Sequence, residues 1–182
     1  MTTKTSRPLG GILLLVLFAA PLLIAMLLTS IEWRPEGTRN YGELIEPPQD
    51  LNGARFVLED GRTLAWRDAA WSWTLFALPG PDCAAGCMAR LDELRRVRIS
   101  MDQNQQRVRV IVLDPALAPR LAPLAPVQAA DDAEATLAAL RPAGADQVAV
   151  AIADPHGFLV LRYPVGYDAN RLRKDLARVI KG

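Results

Sequence analysis

The chain has 182 residues, a formal net charge of +1 and 51% hydrophobic residues. That length holds one domain of ordinary size with an appendage. That balance excludes both a disordered polyelectrolyte and a strongly basic nucleic-acid-binding surface, so no nucleic-acid partner is expected.

Charge is unevenly placed along the chain: Lys4 and Arg7 are the only charged residues before Glu32, and all 20 acids lie from there on. Between them, residues 9–31 read LGGILLLVLFAAPLLIAMLLTSI, without one charge. About 20 apolar residues span the hydrocarbon core as a helix, and the polar stripe of a globular core helix is missing. A cleaved signal peptide has a shorter apolar run and a small-x-small site, and neither precedes Glu32. The segment is therefore read as a retained transmembrane anchor in the lipid bilayer, with Pro21 tolerated inside it. Lys4 and Arg7 favour residues 1–8 in the cytoplasm. The expected placement is single-pass in a bacterial inner membrane, with the remainder in the periplasm, where disulfides persist. Trp33 falls where an interfacial anchor belongs, while Arg34 and Arg39 lie on the far side.

Residues 32–50, rich in Pro, Gly and charge, are read as a linker, and residues 51–182 as the globular domain. The run ARFVLEDGRTLAW predicts a β-hairpin turning at Asp60-Gly61. WSWTLFAL, from Trp71 to Leu78, predicts a strand buried on both faces. It stops at Pro79-Gly80-Pro81, directly before the two cysteines, Cys83 and Cys87. Met88, Leu91, Leu94 and Val97 then recur at helical spacing, with Asp82 placed to cap that helix. RVRVIVLD (107–114) predicts a strand, 115–126 a proline- and alanine-rich loop, and Asp131 to Leu140 a short helix with acids in its first turn. QVAVAIAD and FLVLRYP predict two strands joined at Asp154-Pro155-His156-Gly157. A last helix follows Asp168, with Leu172, Leu176, Val179 and Ile180 on its apolar face. Alternating strands and helices closed by a hairpin and a helix imply an α/β fold with a mixed sheet covered on both faces.

Cys83 and Cys87 stand at i and i+4 of the expected helix, on one side and about a turn apart. Such a pair can hold Cu(I) between two soft sulfurs, can exchange between dithiol and disulfide, or can form an inert bridge. A loop so short adds little chain-entropy stability, which favours a chemical role.

This order, with a cysteine pair after the first central strand, resembles the thioredoxin-like α/β/α sandwich with an N-terminal hairpin. More narrowly it resembles the Sco/SenC family of membrane-anchored cytochrome c oxidase assembly proteins. The likeness rests on the anchor and linker, on Cys83-x-x-x-Cys87, on RVRVIVLDP, and on VAVAIADPHGFLVLRYP, and it covers about residues 51–180. It implies an accessory role in assembling a respiratory copper oxidase, with copper as cofactor and an oxidase subunit or other assembly factors as partners. Cys83 and Cys87 would be the redox or copper-binding residues. The family's third copper ligand, a histidine about eight residues before the Asp-Pro turn, has no counterpart: counting back from Asp154 reaches Asp146 and Gln147. The single histidine, His156, lies inside the turn, where the strand direction places it a strand length from the cysteines. The thioredoxin cis-proline before the same strand is also missing, the nearest proline being Pro142. A periplasmic thiol-disulfide oxidoreductase and a non-catalytic interaction module with a structural disulfide stand as the alternatives.

Overall fold

The computed structural model describes residues 7–30 and 40–181, which belong to two compact units divided at residue 38. Lys4, Trp33, Arg34 and Arg39 lie outside the described residues.

The first unit holds one helix, α1 (Arg7–Ser30). Its Gly10–Leu27 stretch carries no acid or base and is long and apolar enough to cross a membrane. At its end the Thr29 and Ser30 hydroxyls donate to the carbonyls of Ala25 and Met26, at 2.7 and 2.8 Å. Both polar side chains are thus satisfied inside the helix, as an apolar solvent requires.

The second unit is built on a seven-stranded sheet. Its strands are β1 (Glu43–Asp50), β2 (Phe56–Leu58), β3 (Trp73–Pro79), β4 (Val108–Val112), β5 (Gln128–Asp132), β6 (Val148–Ala153) and β7 (Phe158–Tyr163). They lie in the order β1-β7-β6-β3-β4-β5-β2. β3, β4 and β5 run parallel, while β6, β7, β1 and β2 pair antiparallel with their neighbours. Alternation along β3 divides the core in two. Leu75 and Ala77 face a layer that includes helix α2 (Ala85–Ile99) and helix α4 (Ala169–Lys181). Phe76 and Leu78 face the opposite layer with Phe56, Leu113 and Leu137. Phe56 and Phe76 stack there at 4.8 Å between ring centroids, with Trp66 edge-on to both. The mixed sheet is thus covered on both faces, as the sequence pattern predicts.

Four local expectations are corrected. Within the 32–50 segment read as linker, residues 43–50 form an edge strand against β7. That strand is almost wholly exposed, so it has no hydrophobic alternation, and Pro47-Pro48 fall where its register with β7 slips; prolines are tolerated only at such edges. The hairpin turn at Asp60-Gly61 forms, but its return arm gives only the bridge Val57–Thr63, and β2 pairs mainly with β5. The 115–126 loop contains three short helical turns, including helix α3 (Ala118–Leu121). The helix expected over Asp131–Leu140 is instead the end of β5 and a 3-10 turn at Ala138–Leu140. Asp132 turns the chain there, accepting from the Thr136 and Leu137 amides at 2.9 and 2.8 Å. That local side-chain bond competes with helix formation.

Candidate functional site

β3 ends at Pro79, and the chain passes through Gly80-Pro81-Asp82 to Cys83 before α2 begins at Ala85. Two backbone bonds stitch this loop to the segment leading into β6. The Gly80 amide donates to the Gln147 carbonyl at 2.8 Å, and the Asp146 amide to the Pro81 carbonyl at 3.1 Å. Gly80 is required by this approach, because a Cβ there would overlap the Gly144 carbonyl oxygen.

Cys83 and Cys87 form a disulfide across a Cα separation of 5.2 Å, within the span such bonds allow. The two sulfurs are not equivalent. Cys87, in the first turn of α2, is wholly buried in the core. Cys83, just before that helix, is half-buried and packs at the margin of the same cluster.

The cap expected from Asp82 is supplied by Asp146. Asp82 adopts φ +53° and makes no capping bond to α2. Asp146 Oδ1 instead accepts from the Ala84 and Cys87 amides at 2.8 and 2.6 Å, and its Oδ2 from the Gly86 amide at 2.9 Å. One carboxylate thereby satisfies three of the orphan N–H groups at the helix start. Asp146 does this from φ +57°, a left-handed conformation that aspartate tolerates. Gly86 leaves it room: a Cβ there would sit 2.7 Å from Oδ2. The Cys87 amide first, then those of Gly86 and Ala84, and the charge of Arg120, hold the Asp146 carboxyl below the ordinary aspartate range. The Arg120 guanidinium, from α3, also donates to the Cys83 carbonyl at 2.5 Å.

A helix N-terminus favours a thiolate, and here the Asp146 carboxylate already occupies it. The helix dipole is spent on Asp146, so α2 gives little extra support to a cysteine thiolate. Beside the site lies an open groove of about 310 Å³ at the C-terminal ends of β3 and β4, bordered by Pro79, Pro81, Leu113, Pro115 and Arg141. The Arg141 guanidinium lines it, donating to the carbonyls of Leu113 and Pro79.

The expected distance of His156 follows from strand register. Pro79 pairs with Val148 and Thr74 with Ala153, so the turn after β6 lies at the opposite end of β3 from the cysteines. His156 there faces Trp71, with ring centroids 5.2 Å apart, and lies 3.7 Å from Asp154. Among the described residues no group of three His, Cys, Asp or Glu side chains could hold a metal. A three-ligand copper site does not fit these residues: Asp146, which caps the cysteine helix, is a hard oxygen ligand already engaged by three amides. Nor is there a cis-proline before β6, the described cis bonds being Glu46–Pro47 and Ala125–Pro126. Asp146 occupies that loop instead. The sequence gives no local sign of this role, because capping across about 60 residues leaves no spacing signal.

A mixed sheet whose first central strand leads into a helix, with one cysteine just before that helix and its disulfide partner in the first turn, defines a thioredoxin-like protein. The chain belongs to the transmembrane-like, thioredoxin-like family, whose C-terminal-domain model matches residues 73–182. No curated protein sequence matches it. Among solved structures it is similar to the pneumococcal exposed lipoprotein thioredoxin Etrx1 from Streptococcus pneumoniae, at 14% identity and TM-score 0.51, over 68% of this chain and 97% of that one. It is also similar to copper-bound ScoI from Arabidopsis thaliana, at 12% identity and TM-score 0.49, over 77% and 98% of the two chains. Peroxiredoxin Q from Xanthomonas campestris matches at 12% identity and TM-score 0.49, over 79% and 98%. At 14% identity the likeness to Etrx1 speaks for the fold alone. The family and the apolar α1 together suggest membrane anchoring.

Proposed function

We propose that the chain is a membrane-anchored thiol–disulfide exchange protein in which Cys83 is the sulfur open to attack and Cys87 the buried partner. The observation that carries this reading is the asymmetry of the bridge: a half-buried Cys83 is bonded to a Cys87 with no exposed surface. A partner thiolate attacks Cys83 Sγ, the Cys83–Cys87 bond breaks, and Cys87 leaves as the thiolate. A second partner thiolate then attacks the partner's own sulfur in the mixed disulfide and releases Cys83. The partner dithiol becomes a disulfide, this protein becomes a dithiol, and two protons are conserved between them. The groove along Pro79, Pro81 and Arg141 gives an approaching segment a place to lie. The reverse sequence reduces a partner disulfide.

The finer proposal concerns the substrate. The Cys-x-x-x-Cys pair and the Asp-Pro-His-Gly hairpin support a role in assembly of a respiratory copper oxidase. The substrate would be the thiols of a metal-receiving site on an oxidase subunit, reached from the periplasmic side of a bacterial inner membrane. Copper carriage is the second reading. It is favoured by the 5.2 Å Cα separation, which lets two reduced sulfurs face one ion, as in two-coordinate Cu(I).

Trapping tests exchange directly. Cys87→Ser leaves Cys83 free and is expected to accumulate mixed disulfides with thiol-containing partners, whereas Cys83→Ser, with only a buried sulfur, is not. Absence of mixed disulfides in both variants would remove the exchange reading. Anaerobic Cu(I) titration of the reduced protein tests the second: no stoichiometric binding abolished by either serine variant would remove it.

A further inference from the structure

Positive charge is gathered on one helix of this nearly neutral protein. Beyond residue 31 there are 19 basic and 20 acidic groups; α4 holds five of the former and one of the latter, leaving 14 against 19 elsewhere. The basic residues are Arg171, Arg173, Lys174, Arg178 and Lys181, all exposed except the half-buried Arg173. The single acid, Asp175, is wholly buried and faces inward. It accepts from the Tyr41 and Gly42 amides, the Tyr163 hydroxyl and Arg178, at 2.6, 3.0, 2.7 and 3.0 Å.

Three of these cations converge on one exposed aromatic ring. Arg171, Lys174 and Arg178 lie 5.5, 5.9 and 5.4 Å from the centre of Tyr41, which is 47% exposed. Among the described residues, Asp168 lies 4.0 Å from Arg171 and the inward-facing Asp175 3.0 Å from Arg178, while Arg171 and Lys174 remain exposed at the ring. Like charges gathered so closely around a ring favour an external anion, and an aromatic among them is suited to the headgroup level of a bilayer.

The chain's own connectivity selects the anion. Tyr41 and Gly42 are pinned to α4 through Asp175, and only ten residues lie between Tyr41 and Ser30, the end of the apolar helix. Fully extended they reach no more than about 40 Å. A short connection raises the effective concentration of the basic face at any surface that holds α1, and clustered cations attract anionic lipid. We propose that the exposed face of α4, with Tyr41 at its centre, rests on the anionic phospholipid headgroups of the membrane that anchors the chain. Cys83 is edged by the start of α2, by Asp146 and by Arg120 of α3, none of them on α4, so lipid contact there leaves the disulfide open.

The test places the full chain in nanodiscs of phosphatidylcholine alone, or with one-third phosphatidylglycerol, each doped with a lipid carrying a headgroup diazirine. After photolysis, peptide mass spectrometry reports the crosslinked residues. Crosslinks on α4 and Tyr41 are expected in the anionic discs, at least fivefold above the neutral ones. They should fall to the neutral level in 0.5 M NaCl, and in an Arg171→Glu, Lys174→Glu variant whose circular dichroism matches the parent. Crosslinks confined to α1 and the tether in both lipids would overturn the proposal, as would crosslinks to α4 that ignore lipid charge and salt. The salt arm needs no substitution, so it decides even if the variant fails to fold. A face built for an acidic protein would give the first overturning result.

Discussion

Replacing Asp175 tests how the domain is closed where the chain enters it. Asp175 is fully buried, and its two oxygens accept four hydrogen bonds, three of them at Oδ2. Truncation to alanine leaves the buried Tyr163 hydroxyl and the Gly42 amide without an acceptor. Each such orphan costs about 1–3 kcal/mol, and removing one partner of a buried charged cluster typically costs about 3–5 kcal/mol. Arg178 is half-exposed and adds at most about 1 kcal/mol. Asp175→Ala is therefore expected to lose about 3–5 kcal/mol, or roughly 10–20 °C in Tm for a domain of this size. Arg178→Ala should lose no more than a few degrees. Thermal unfolding by near-ultraviolet circular dichroism measures both, and hydrogen exchange should show residues 43–50 released first. A change under about 1 kcal/mol in Asp175→Ala, with the β1 amides still protected, would refute the assignment of Asp175 as the clasp.

The remaining predictions concern the cysteine helix. Gly86→Ala would ordinarily add roughly 0.5–1 kcal/mol to a helix, but its Cβ displaces the Asp146 carboxylate; chemical denaturation should show that gain absent or reversed. Gly80→Ala forces its loop from the Gly144 carbonyl and should cost about 1–3 kcal/mol, as overpacking does, measured by the same denaturation. The Asp146 pKa is lowered on folding, so its carboxylate contributes full stability above the ordinary aspartate value and loses it as pH falls through the folded value. The Ala84, Gly86 and Cys87 amide proton shifts should titrate together with a midpoint below 3.8; a midpoint at or above that value would contradict the three-amide cap.

Much of the fold is legible because burial imposes a period. The uncharged Gly10–Leu27 stretch of α1, the doubly buried β3, and the Leu172-Leu176-Ile180 stripe of α4 each announce themselves by pattern. β1 does not, since an exposed edge strand with two prolines carries no alternation. β5 also hides: Ala129 and Ala130 are buried yet small, and helix-forming alanines before acids imitate a helix start. Of the site, the cysteine pair and its place after β3 are visible locally. The Asp146 cap is not, because it depends on a left-handed residue brought across the sheet ends by tertiary structure. Asp175 left a faint signal as an acid three residues after Leu172 on the buried side of its helix.

Whether the Cys83–Cys87 bridge is exchanged or inert is read from its equilibrium reduction potential. Graded glutathione or dithiothreitol buffers, followed by thiol trapping and mass spectrometry, give the value for the full chain and for Asp146→Asn. Removing the anion at the start of α2 should favour the thiolate and so the reduced form. The parent potential is expected above about −300 mV, rising by about 30 mV in the variant, a tenfold change in the exchange equilibrium. A potential below about −300 mV that is unmoved in Asp146→Asn would mark a structural disulfide and contradict exchange.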